Sequence, residues 1–109
     1  MKISTSLVLL SLACSSAHAG FIDGNQLQQW STGSGDVGAN LVGASLFSGY
    51  VSGVVDTGDD VLFCTSNGVT LGQCVAVVMK YLENNPEKWN LAAPALVIGA
   101  MQQTFPCGK

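Results

Sequence analysis

Three carboxylates and a handful of cysteines carry most of the chemistry this chain could perform. Asp56, Asp59 and Asp60 fall within the run Gly53-Val54-Val55-Asp56-Thr57-Gly58-Asp59-Asp60-Val61. Asp56-Thr57-Gly58 is the triplet with which aspartic proteases hold a catalytic carboxylate, and the retroviral kind carries one per short subunit. Such an enzyme needs two carboxylates that face each other and share a proton. It also needs a chain built almost wholly of strands and a second motif. Val97-Ile98-Gly99 begins such a motif, but Ala100 and Met101 stand where an Arg or Asn is required. The residues between the two motifs hold a helix signature where a flap should be, so the protease reading fails. Nor do the three carboxylates have the spacing of a calcium loop; they read as a solvated acidic turn.

The elements that must position these groups begin after a leader. Lys2 precedes an apolar run, Leu7 to Ala13, too short to cross a bilayer, and Ala17-His18-Ala19 gives the small-x-small pattern of a signal-peptidase site. Residues 1–19 therefore read as a cleaved secretory signal and residues 20–109 as one domain. Lipidation at Cys14 is disfavoured by the large Leu12 before it. Cleavage removes His18, the sole histidine, and with it the usual general base and the commonest metal ligand. No catalytic residue, metal or cofactor is assigned, and the chain does not read as an enzyme.

Past the leader, three lysines face seven carboxylates and there is no arginine, a net charge of about −4. That excludes the electrostatic footprint of a nucleic-acid binder, and no later apolar run is long enough for membrane insertion. Only 10% of residues are charged while 48% are hydrophobic. A small domain of that balance leaves apolar surface for another chain to cover, which points to an oligomer or a tight partner. Export places the cysteines in an oxidising compartment. Cys64, Cys74 and Cys107 remain, so one pair and one leftover thiol are expected. Pairing Cys64 with Cys107 would staple the C-terminus to the middle of the chain and add about 3–4 kcal/mol on the chain-entropy account. Cys74 is either a buried thiol or a bridge between two chains.

Local signals give a mostly helical chain of four or five helices. Asp23 can cap a helix running to about Trp30, with Ile22 stapled against Leu27; Ser31 to Gly35 is a loop by composition. Apolar residues between Leu41 and Val55 recur at helical spacing, although Gly38, Gly43, Gly49 and Gly53 each cost about 1 kcal/mol there. Gly49-x-x-x-Gly53 is the small-residue pattern of close helix packing, and a strand over Tyr50 to Val55 stays open. Thr57 to Asp60 reads as a turn. Thr70-Leu71-Gly72-Gln73 is a capping box; behind it Leu71, Cys74, Val75, Val78 and Leu82 share one face. A last helix follows Pro86, with Asn90 as its cap, Pro94 in its first turn, and Leu91, Ala95, Val97, Ile98 and Met101 facing inward.

In order along the chain, Asp23-Gly24-Asn25-x-Leu27, Gly49-Tyr50-x-x-Gly53-x-x-Asp56, Phe63-Cys64, Gly68-Val69-Thr70-x-Gly72-Gln73, Val77-Val78-x-Lys80-Tyr81-Leu82, Asn85-Pro86-Glu87 and Phe105-Pro106-Cys107 resemble the Rap1a/Tai group of periplasmic immunity proteins, which protect bacteria from peptidoglycan amidases delivered by type VI secretion. The resemblance implies an all-α domain, often a homodimer, that binds the amidase and blocks its cleft without catalysis of its own. It also implies a Cys64–Cys107 disulfide. An earlier cysteine pair common in that group is missing here, and Cys74 is extra. Contacts with the amidase are expected in exposed loops, with Asp59 and Asp60 as charged contacts and Trp89 as an aromatic anchor. The competing reading is a periplasmic helper without a toxin, such as an acid-stress chaperone or envelope scaffold.

Overall fold

A computed structural model describes residues 20–32 and 37–108. The expected leader lies outside them. Four α-helices follow one another among the described residues: α1 (Gly24–Thr32), α2 (Val37–Gly58), α3 (Leu71–Asn84) and α4 (Ala93–Thr104), with a 3-10 turn at Pro86–Lys88. The class is all-α, as the sequence implies.

The start of α1 shows how a short polar motif fixes a tertiary contact. Four N–H groups at a helix N-terminus have no partner within the helix. Here Gly24 N–H donates to Leu91 O at 3.0 Å, Asn25 N–H to Trp89 O at 2.9 Å and Leu27 N–H to Asp23 O at 3.1 Å. Gln26 N–H donates to Asp23 Oδ1 at 2.9 Å, the expected cap. Ala93 N–H returns a bond to Ile22 O at 2.9 Å, so α1 and the start of α4 clasp each other. A side chain on Gly24 would meet the Trp89 carbonyl oxygen at 2.7 Å, so only glycine lets α1 come this close. The helix runs two residues beyond Trp30, and Ser31 and Thr32, expected in the following loop, are helical.

α2 overturns the strand alternative, since it passes unbroken through Tyr50 to Val55. Phe47 and Val51, one turn apart, are fully buried, and Tyr50 tilts against Trp30 with ring centroids 6.3 Å apart. Gly43 marks the α1–α2 crossing, where a Cβ would stand 2.9 Å from Trp30 O. The expected turn at Thr57 begins later: Thr57 and Gly58 complete the last helical turn, with Thr57 Oγ1 donating to Gly53 O at 2.7 Å. The hydroxyl bonds back one turn along the helix, which continues past Asp56 to Gly58.

α3 opens on the expected capping box. Gln73 N–H donates to Thr70 Oγ1 at 3.2 Å and Thr70 N–H to Gln73 Oε1 at 2.7 Å. Cys74, Val78 and Leu82 are buried along its face, while Leu71 is exposed. At its far end the Trp89 indole N–H donates to Leu82 O at 2.8 Å, and Asn85 Nδ2 to Tyr81 O at 2.8 Å. α4 is capped at Ala92 without a side-chain bond, not at Asn90, and Pro94 lies in its first turn. The Ile22 carbonyl takes Ala93 N–H, so a side-chain cap is unnecessary there. Leu96, Val97, Ala100 and Met101 face the core, whereas Leu91 and Ala95, expected inward, are exposed. Phe63 enters the same core from the loop after α2.

Candidate functional site

The acidic segment becomes a braced loop spanning residues 59–65. Asp59 N–H donates to Val55 O at 2.9 Å and Leu62 N–H to Gly58 O at 2.7 Å, closing the end of α2. The Asp59 carboxylate then reaches forward. Its Oδ1 accepts from Thr65 N–H at 2.8 Å and from Asp60 N–H at 3.1 Å, and its Oδ2 from the Thr65 hydroxyl at 2.6 Å. These bonds, led by the Thr65 hydroxyl, hold the Asp59 carboxyl below the usual carboxylate range. From the other side, Gln102 Nε2 donates to Leu62 O at 3.0 Å, and Cys64 N–H to Phe105 O at 2.8 Å. The Cys64–Cys107 disulfide, with Cα atoms 4.7 Å apart, fastens the loop to the chain's end.

A loop held this way presents a fixed surface. Phe63 is fully buried under the end of α2, its ring 2.8 Å from where a side chain on Gly58 would begin. The residues before it are turned out: Asp60 is exposed, Val61 is 75% exposed and Leu62 45%. Asp60 holds a left-handed backbone with φ of 62°, rare outside glycine and tolerated by aspartate. The tip thus combines one free carboxylate with two apolar side chains on a frame that has little ordering entropy left to lose on binding. In the sequence Val61-Leu62-Phe63 is only a short apolar run leading to Cys64.

The sequence-expected contacts do not converge. Asp60 makes no side-chain bond among the described residues, but Asp59 is committed to the loop's own bonds. Trp89 is half-buried, its indole N–H bonded to Leu82 and its carbonyl to Asn25 N–H and, at 3.1 Å, to Asn25 Nδ2. It precedes α4, whereas the 59–65 loop lies against Gln102 and Phe105 at the other end. Twelve residues of helix separate the two ends, about 18 Å at 1.5 Å per residue.

A second surface lies along α2. Gly49 and Gly53, expected to pack closely, have nothing within 4 Å of where a side chain would begin. They floor an apolar groove of about 430 Å³ walled by Tyr50, Val54, Leu62 and Ile98. Leu41, Val42 and Leu46 are also exposed on α2, and no charged residue occurs from Asn40 to Val55.

Asp56 is exposed on α2, and no strand that could hold a protease carboxylate occurs among the described residues. No cluster of His, Cys, Asp or Glu that could hold a metal forms among them either. Cys74 is a buried free thiol, its pKa raised by burial and further by the Asp59 charge. No helix among the described residues is long and apolar enough to cross a membrane.

The described residues form a small helical domain stapled by one disulfide, with a braced loop and an open apolar groove. The family comparison agrees: the Rap1a immunity proteins match over residues 23–107, nearly all of the described chain, and this chain belongs to that family. It is an immunity protein. A search of curated proteins found no match.

Proposed function

We propose that this chain is exported through cleavage of residues 1–19 and, in the periplasm, binds and blocks a peptidoglycan amidase delivered by type VI secretion. The observation that carries the reading is the braced loop with its outward tip. An enzyme cleft is a concave apolar site with a few polar groups, and a convex tip bearing Val61, Leu62 and the Asp60 carboxylate is its complement. In this reading Asp60 is the charged contact, and Asp59 serves it by bracing the loop. Trp89, partly buried at the other end of α4, is a separate contact.

The same reading has the protein acting as a homodimer. The exposed α2 face supports this: an acidic chain meets its own copy with least repulsion where it carries no carboxylate, and the open backbone at Gly49 and Gly53 allows close helix approach.

The experiment is direct. Residues 20–109 are mixed with the type VI amidases encoded in the same genome, and binding and cell-wall hydrolysis are followed together. One amidase bound stoichiometrically and silenced supports the proposal. Val61→Asp with Leu62→Asp should then abolish inhibition while circular dichroism stays unchanged. If that double variant inhibits as well as the parent, the loop is not the contact.

A further inference from the structure

Opposite electrostatics appear on another part of the molecule. α3 and α4 pack against each other but leave a cleft of about 470 Å³ of mixed character, lined by Lys80, Tyr81, Asn84 and Gln103 with the apolar Val77 and Ala100. No carboxylate among the described residues lines it; Glu83 and Glu87 are exposed and outside it. Lys88 stands at its edge, its Nζ donating to the Tyr81 hydroxyl at 3.2 Å and lying 5.4 Å from the centre of the Tyr81 ring. Lys80 lines the cleft and Lys88 is joined to it through the Tyr81 hydroxyl, so two of the three lysines beyond residue 19 border it in an acidic chain.

We propose that this cleft binds a short peptide through its carboxylates. An ammonium group can only donate, so Lys88 uses the Tyr81 oxygen as acceptor and leaves the phenolic O–H free to donate elsewhere. Lys80, Lys88 and that O–H supply three donors suited to carboxylate oxygens, and charge-assisted bonds are the stronger kind. The amides of Asn84 and Gln103 offer both donor and acceptor to a peptide backbone. A helix C-terminus ordinarily repels an anion, but at the end of α3 the Tyr81 and Leu82 carbonyls are covered by Asn85 and Trp89. The Tyr81 hydroxyl fits against α4 because residue 99 is glycine; a Cβ there would stand 3.2 Å from the phenolic oxygen. The volume lies within the usual range for small ligands, about 300–1,000 Å³. The site is independent of the 59–65 loop and of the amidase reading.

The test is a titration of the isotopically labelled protein with triglutamate, followed by amide chemical shifts. Saturable shifts should be confined to the facing parts of α3 and α4, around Val77 to Asn85 and Ala100 to Thr104. Lys80→Gln with Lys88→Gln should weaken binding by roughly tenfold, as expected for loss of two charge-assisted contacts. Lys80→Arg with Lys88→Arg should retain it, which separates lost charge from lost fold, and Asp60→Asn should leave it unchanged. An acetylated, amidated triglutamate distinguishes the sources: retained binding assigns side-chain carboxylates, lost binding the terminal one. Equal shifts with acetylated, amidated triglutamine, which carries no carboxylate, shifts scattered over the surface, or undiminished binding in the double Gln variant would overturn the proposal.

Discussion

Glycines at two kinds of position make opposite predictions for the same substitution. At Gly24 a Cβ would lie 2.5 Å from Leu96 Cδ1 and 2.7 Å from both the Cα and the carbonyl oxygen of Trp89. Leu96 is itself buried, and Trp89 is held by its bonds to Asn25 and Leu82. Neither neighbour can retreat without breaking the α1–α4 clasp. Overpacking of this kind costs about 1–3 kcal/mol, and the gain in helix propensity, at most about 1 kcal/mol, is smaller at a first helical position. Gly24→Ala should therefore destabilise by about 1–2 kcal/mol. Gly53 lies mid-helix with open space above it, so Gly53→Ala should stabilise the single chain by about 1 kcal/mol. In a domain this small, each kcal/mol moves Tm by about 4–8 °C, so the variants should melt on opposite sides of the parent. Thermal and urea unfolding at dilutions where the chain is monomeric read both. A neutral Gly24→Ala, or a destabilised monomeric Gly53→Ala, would refute the packing described.

Other outcomes follow from the same geometry. Replacing Cys64 and Cys107 together by Ser releases a loop with a sequence separation of 43; the chain-entropy account gives a loss of about 4 kcal/mol, read from urea unfolding with midpoint and m both fitted, because the less compact unfolded chain raises m. The Asp59 pKa is depressed in the folded state, so its bracing is fully present above the ordinary carboxylate range, about pH 4, and is lost as pH falls below it. Protection of the Thr65 amide should be flat from pH 7 to about pH 5, and its loss near pH 6 would contradict the assignment. On the proposed pairing through the α2 face, Gly53→Leu, which fills the open groove, should lower the mass seen by light scattering towards that of one chain, with no loss of helix by circular dichroism.

What the sequence disclosed was whatever a few neighbouring residues decide among themselves. The Thr70–Gln73 box and the Asp23 cap are bonds closed within three residues, and both stand where they were read. The helix after Pro86 was placed well but its cap was not, because its first N–H is satisfied by Ile22, far away in the chain. The glycines divide the same way. Spacing singled out Gly49 and Gly53 as close-packing positions, yet Gly24 and Gly43 are the ones pressed against backbone, and only the location of Trp89 and Trp30 distinguishes them. Asp59 read as a free charge because its partner, Thr65, lies beyond Phe63, across a turn whose shape depends on burying that ring. Val61 and Leu62 are hidden for the same reason: an apolar run does not say which of its members the core has room for.

The central claim, inhibition of an amidase through the braced loop, is tested most directly by calorimetric titration of residues 20–109 into a type VI amidase from the same genome, with hydrolysis of peptidoglycan followed in the same samples. The account predicts stoichiometric binding, loss of hydrolysis at equivalence, and loss of both effects when Asp60, Val61 and Leu62 are replaced in an otherwise folded protein. Full inhibition by that loop variant, or no binding to any amidase of that genome, would contradict it.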